Sequence, residues 1–228
     1  MRKALKLLSA CLASGAVSGA LASGSGAMPS PSMSMPRVAS PEQQARDLYN
    51  DGVRSVGKAD KVDLDAARAT DAGKKDRAMR DRNERYTWAL DKFQRSVQLD
   101  PQRYEAWNYL GYTSRKLGHY DDAFAAYDRA LALRPGYPEA IEYRGEAYLA
   151  VNRLADARQA YLDLFAGNRA LADKLLGAMK SWVATQRAAP AGDNAASIDE
   201  LDKWIQERAQ IAGQTAALTR AGAAATWR

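Results

Sequence analysis

The sequence predicts an all-α chain, a short helix-turn-helix solenoid closed by capping C-terminal helices. The first observation is compositional: the 228 residues hold 46 alanines but only 19 valines, isoleucines and threonines together. Alanine costs least in a helix, whereas β-branched side chains favour pleated strands. The second is a 34-residue self-similarity: Ala89, Ala123 and Ala157 are evenly spaced, as are Phe93, Tyr127 and Tyr161. Glu105, Tyr109 and Gly111 recur as Glu139, Tyr143 and Gly145, and Pro101 recurs as Pro135. A fixed period of this length marks one supersecondary unit repeated along the chain. The length suits one repeat array rather than two large domains.

In chain order, residues 1–22 read as an export signal: Arg2, Lys3 and Lys6 precede an apolar stretch from Leu7 to Ala22, with Ala20-Leu21-Ala22 as the cleavage site. The stretch is short for a transmembrane helix, which needs about 20 apolar residues. Periplasmic or secreted localisation, with Ser23 as the mature N-terminus, is the expectation. Leu8-Ser9-Ala10-Cys11 resembles the lipobox of bacterial lipoproteins, so membrane anchoring through a lipidated Cys11 is the alternative. Residues 23–41, with Pro29, Pro31 and Pro36, lack apolar periodicity and read as a flexible linker.

The best-formed repeat spans 104–135. Trp107, Leu110 and Gly111, followed by Gly118, Tyr120, Ala123, Tyr127, Ala130 and Pro135, resemble the tetratricopeptide repeat (TPR), a helix-turn-helix unit. Each landmark has a physical reason. Gly111 and Ala123 are small where two helices cross closely, Trp107, Leu110 and Tyr127 fill the space around them, and Pro135 ends the second helix. The period at 138–169 keeps Gly145, Tyr148, Ala157 and Tyr161 but has Arg144 in place of the leucine and no closing proline. The first repeat, 42–101, is split: Gly52 to Ala89 takes 37 residues where Gly111 to Ala123 takes 12. The insertion, about 58–85, is rich in charge of both signs and reads as an extended solvated helix or a mobile loop.

After the repeats, Leu171, Leu175, Ala178, Met179, Trp182 and Val183 share one helical face and predict a capping helix over 170–187. A linker at 188–196 follows. Ser197 to Glu200 then forms a capping box ahead of Leu201, Trp204 and Ile205, predicting a helix over 197–212 and a disordered tail over 213–228. A shielding last helix is what a short solenoid needs, because its terminal unit otherwise exposes a core face. Trp227 falls in that tail.

The sequence offers little for catalysis. Cleavage at Ala22 removes the sole cysteine, and the sole histidine, His119, lies in the turn after Gly118. That leaves no thiolate, zinc or histidine-based chemistry. Asp60, Asp63 and Asp65 invite a calcium loop, but Ala67 and Arg68 stand where it needs a ligand and a glycine. No enzyme activity and no cofactor are predicted. The net charge of +6 is half leader: without Arg2, Lys3 and Lys6 there remain 30 basic against 27 acidic side chains, so no nucleic acid is expected.

What the TPR resemblance implies is a concave wall made by the first helix of each repeat, with positions 2, 5, 9, 12 and 13 facing the groove. Counting from Tyr104, these are Glu105, Asn108, Tyr112, Arg115 and Lys116, then Glu139, Glu142, Glu146, Leu149 and Ala150. The first helix adds Arg46, Tyr49 and Val53. Glu139, Glu142 and Glu146 share a face by their spacing. They read either as an acidic strip for a basic or amine-bearing segment, with Tyr112 and Tyr49 packing its apolar parts, or as a solvated face balanced by Arg115, Lys116 and Arg144. A subgroup of the family clamps C-terminal carboxylates with groove Lys, Arg and Asn residues; Tyr109, Tyr112, Glu139, Tyr143 and Glu146 here disfavour that. The expected function is a non-catalytic adaptor or scaffold binding a protein or peptide, possible basic character included, with self-association through the repeats as the alternative.

Overall fold

The computed structural model describes residues 39–189 and 194–225, with side chains described as far as Leu218. The export signal, Cys11, most of the flexible linker and Trp227 lie outside the described residues. Eight helices are described: α1 (Pro41–Arg68), α2 (Ala72–Leu99), α3 (Tyr104–Lys116), α4 (Tyr120–Leu133), α5 (Pro138–Ala150), α6 (Leu154–Gly167), α7 (Arg169–Ala188) and α8 (Ala195–Ala225).

Local chemistry fixes the ends of these helices. Ser40 caps α1 by accepting from the Gln43 amide at 3.2 Å, with Pro41 in the first turn, where its missing donor costs nothing. Asp71 caps α2 from the Lys74 amide at 2.7 Å, and Asn168 caps α7 from the Leu171 amide at 3.1 Å. The turn between α3 and α4 needs a left-handed residue, Gly118 at φ 84°; one period later Asn152 holds the same place at φ 60°.

Helix pairs α1/α2, α3/α4 and α5/α6 stack in order, and α7 packs against both α5 and α6. Within a pair the crossing is close because a glycine faces a ring. A Cβ on Gly52 would lie 2.6 Å from Phe93 carbons, and one on Gly111 would lie 2.6 Å from Tyr127 carbons. In the third pair Gly145 meets Leu175 of α7 instead, at 2.7 Å. Buried alanines and one aromatic per pair, Phe93, Tyr127 and Tyr161, form the spine of the core. Ile198, Leu201 and Ile205 of α8 close its end against Leu164, Leu175 and Met179.

The insertion is neither a loop nor one helix. The Gly52/Gly111 correspondence makes Gly57 the counterpart of Lys116, so α1 runs 11 residues further than α3; Ala89/Ala123 makes Tyr86 the counterpart of Tyr120, so α2 begins 14 residues earlier than α4. These account for the 25 inserted residues and leave a three-residue turn, 69–71, as in the next pair. The first hairpin therefore projects about 16–21 Å beyond its neighbours, at 1.5 Å per residue. Ala59, Ala66 and Tyr86 are buried along its seam. Ser55 Oγ donates to the Arg85 carbonyl at 2.9 Å, and Arg82 pairs with Asp63 at 2.8 Å.

Two expectations for the C-terminal end are corrected. Helix α8 starts at Ala195, so Ser197 lies inside its first turn rather than capping it; the Asn194 carbonyl accepts from the Ile198 amide at 3.0 Å. Nor does order stop near Gly213: α8 continues to Ala225, because seven of the residues from 212 to 225 are alanine. Residues 213–218 are exposed, so over these six the helix draws chiefly on intrinsic propensity.

Candidate functional site

The odd-numbered helices touch one another in sequence, α1 to α3 to α5 to α7, and so form the inner wall of the array. Their side chains build two regions: a charge ladder and, nearer the helix N-termini, an aromatic patch with carboxylates.

The ladder alternates in sign from helix to helix. Asp60 and Asp63 of α1 face Tyr112 and Lys116 of α3. Asp60 accepts hydrogen bonds from the hydroxyls of Tyr86 at 2.5 Å and Tyr112 at 2.6 Å, and Asp63 pairs with Lys116 at 2.5 Å as well as with Arg82. Arg115 of α3 pairs with Glu146 of α5 at 2.7 Å, and Glu142 of α5 accepts from Lys174 of α7 at 3.1 Å. Arg115 also sits 5.3 Å from the Tyr112 ring centre, and Lys174 sits 5.0 Å from that of Tyr143.

Protonation follows this geometry. Burial pushes the Glu142 carboxyl up to about 8, with hydrogen bonding and repulsion from Glu146 adding to it. Burial also acts upward on Glu146, but the Arg115 guanidinium outweighs it and holds that carboxyl below its ordinary value. Asp63 is likewise lowered: partial burial opposes ionisation, and hydrogen bonds from Lys116 and Arg82 overcome it. Burial and then the Asp60 hydrogen bond raise Tyr86 and Tyr112 far above the normal phenol range.

In the second region, Tyr49 contacts Tyr109 edge-on at 5.8 Å, Tyr109 stacks on Phe93 at 5.3 Å, and Tyr104 meets Tyr137 edge-on at 4.9 Å. Tyr112 connects this train to Tyr143 at 4.9 Å. Burial raises Tyr49 to about 12, with Tyr109 and Glu105 adding to the effect. Glu105 acts on Tyr49, Tyr104 and Tyr137, and Glu139 acts on Tyr109 and Tyr137, which places both carboxylates among the rings. Among the described residues neither forms an ion pair.

The tetratricopeptide repeat profile matches residues 80–138 and, in a second overlapping register, 115–173. Residues 80–173, rather less than half of the chain, thus match the tetratricopeptide repeat family. Among solved structures, the Arabidopsis OM64 TPR domain is 11% identical with a TM-score of 0.47, covering 62% of this chain and 96% of its own. The TPR2B domain of yeast Sti1 in its pHsp70 complex is 14% identical with a TM-score of 0.39, covering 72% and 98%. The MamA protein is 18% identical with a TM-score of 0.38, covering 72% and 93%. The comparison with curated proteins gives no significant match.

Within the TPR wall, the predicted groove residues separate into three groups. Tyr49, Glu105 and Glu139 are partly exposed. Tyr112, Arg115, Lys116 and Glu146 lie in the wall but are engaged with neighbouring helices. Asn108 and Glu142 are 1% and 0% exposed, so they are not presented to a ligand. The continuous acidic strip is therefore corrected: Glu142 and Glu146 are bound within the wall by Lys174 and Arg115, which leaves Glu139 with Glu105. Of the balancing cations expected from the sequence, only Arg115 contacts the strip; Lys116 reaches Asp63, and Arg144 reaches Asp128 at 2.6 Å. Of the flanking residues, Val53 packs with the Phe93 cluster, Arg46 bonds Gln43, Leu149 is buried and Ala150 is exposed.

Sequence reasoning missed Asp60, Asp63 and Lys174 as wall residues. For Asp60 the signal was present, since Asp60 lies two turns beyond Val53 on α1. Asp60 and Asp63 are held by tyrosine, lysine and arginine side chains as above, and among the described residues no group of three or more acidic, histidine or cysteine residues could hold a metal. No helix among them is long and apolar enough to cross a membrane.

Proposed function

We propose that this protein is an adaptor or scaffold of a bacterial cell envelope that holds a segment of a protein partner in its concave groove. TPR arrays generally mediate protein–protein interactions and are in general non-catalytic. The observation that supports groove binding is the aromatic patch: Tyr49, Tyr109 and Tyr137 line it, with Arg103 6.0 Å from the Tyr49 ring centre and Arg134 5.2 Å from that of Tyr137, and Glu105 and Glu139 are two carboxylates that form no ion pair among the described residues. A lysine or arginine side chain fits that combination, since its charge meets the carboxylates and its stem covers the rings. The partner segment is therefore basic. Export through residues 1–22, with maturation before Ser23, is part of the same reading.

The test is a photo-crosslinking residue at Glu139, which is partly exposed where Asn108 is buried, applied in native envelope with and without Glu105→Lys. A discrete adduct with another protein, lost on charge reversal while the fold is kept, supports the reading. An adduct of twice the chain mass would instead make the groove a self-association surface, and no adduct would refute groove binding. The mature mass reads the export claim: a chain beginning at Ser23 supports it, and an acylated chain beginning at Cys11 replaces it with membrane anchoring.

A further inference from the structure

The deepest polar group in the wall is a carboxyl that the ladder does not fully satisfy. Glu142 is 0% exposed, and among the described residues its only hydrogen-bond donor is Lys174, which reaches Oε2 from a side chain 52% exposed. Among the same residues Oε1 has no hydrogen-bond partner. Arg115, the other cation nearby, is engaged with Glu146 one turn further along the same helix. An ionised carboxylate buried with one donor is costly, whereas a protonated one can place its hydroxyl on Oε1 and donate to Glu146.

We propose that Glu142 and Glu146 share one proton, and that its release loosens α5 from α7, making the concave wall a pH-gated surface. The groups facing the pair are known from each packed helix. From α3 come Arg115, Lys116 and Tyr112; from α7, Lys174; from α4, Tyr127, whose hydroxyl neighbours Arg115; and on α5 itself, Tyr143. On α6, behind α5, Tyr161 lies with Asp173, Arg169 and Arg208 rather than with this pair.

With the proton in place, the pair carries one negative charge against Arg115 and Lys174, and α5 is clamped between α3 and α7. When the proton leaves to solvent, two adjacent carboxylates repel, and Glu142 must find water that its packing excludes. What yields is the packing of α5 against α7 that keeps water from Oε1: Lys174, whose side chain is half in solvent, favours the ionised carboxylate and can follow it outward, while Arg115 is held by two rings as well as by Glu146. The raised Glu142 carboxyl and lowered Glu146 carboxyl agree with one proton held unequally by the two. The groove reading enters only in naming what is gated; the switch belongs to the isolated protein.

The test uses the full-length mature protein. Carbon-13 NMR of labelled glutamate side chains, assigned with Glu142→Gln and Glu146→Gln, follows each carboxyl from about pH 4 to about pH 9. Glu142 is expected to titrate at least two units above the exposed glutamates. Over the same range, amide exchange corrected for its intrinsic pH dependence is expected to lose protection severalfold in α5 and α7, and not in α1 or α2. Glu142→Gln, which keeps the shape and the neutral form, should abolish that loss; Lys174→Met should move its midpoint upward, and serves if the glutamine variant does not fold. A Glu142 midpoint in the ordinary carboxylate range, or α5 and α7 protection that is constant with pH, would overturn the proposal. Absence of an adduct at Glu139 would remove the groove reading and leave this one standing.

Discussion

Gly111 is the residue on which the second helix crossing depends, and adding one methyl group there tests the packing argument directly. In Gly111→Ala the new Cβ falls 2.6 Å from two carbons of the Tyr127 ring and 2.9 Å from a third. Ordinary carbon contacts sit about 1 Å further out. The ring is fully buried and rigid, so it cannot yield as an aliphatic tip could, and α3 must move off α4. Overpacking of this kind costs about 1–3 kcal/mol, and the case here belongs at the upper end. Alanine returns about 1 kcal/mol of helix propensity over glycine, so the net loss is about 2 kcal/mol. In a domain of this size that lowers Tm by roughly 4–8 °C. Gly57→Ala on α1 and Gly177→Ala on α7 are the controls, because nothing lies within 4 Å of either Cβ. Each should gain up to about 1 kcal/mol and raise Tm by a few degrees. Urea denaturation followed by circular dichroism measures all three, and a Gly111→Ala midpoint equal to or above those of the controls would refute the close crossing.

Asp60→Ala removes the acceptor of two tyrosine hydroxyls at once and should cost roughly 2–4 kcal/mol, more than Asp65→Ala on the exposed side of the same helix, by the same urea assay. Asp63 carries a lowered pKa in the folded state, so its contribution is present above the unfolded value of about 3.8 and is lost as pH falls through the folded one. Acid denaturation of Asp63→Asn should accordingly lack part of the stability loss that the parent shows below about pH 4. Truncation after Gly213 removes no buried side chain among the described residues. It should leave the urea midpoint within about 0.5 kcal/mol while lowering mean helicity, whereas truncation after Ala196 removes Ile198, Leu201 and Ile205 from the core and should destabilise strongly.

The repeat register was legible because steric landmarks recur at fixed spacing: in the first two pairs the glycine of the inner helix meets the ring of the outer one, and in the third the glycine stays small against Leu175. Boundaries were less so. The insertion looked like loop or lone helix because its many charges hide the buried seam residues Ala59 and Ala66, which are too small to stand out in a periodicity. The tail from 213 read as disordered, and alanine propensity carried the helix on regardless. In the wall, spacing within α5 placed Glu139, Glu142 and Glu146 on one face, and that much was readable. Which of them would be free depended on Lys174, 32 residues away on a helix outside the repeat pattern, and on the lengthened α1 that brings Asp60 and Asp63 to Tyr112 and Lys116. No single-helix argument contains those partners.

The alternation of sign along the inner helices restricts how this array could be remodelled. In a solenoid of identical units any unit can be excised or duplicated, because every junction is the same. Here the acidic rung of α1 requires the basic rung of α3, and the acidic rung of α5 requires basic rungs on both sides. Excising the unit formed by α3 and α4 would set Asp60 and Asp63 against Glu142 and Glu146, four carboxylates with Arg82 and Lys174 alone to answer them. Duplicating that unit would set Arg115 and Lys116 against their own copies. The order of the units is thus written in the wall as charge parity, and the length of the array can change only in steps of two.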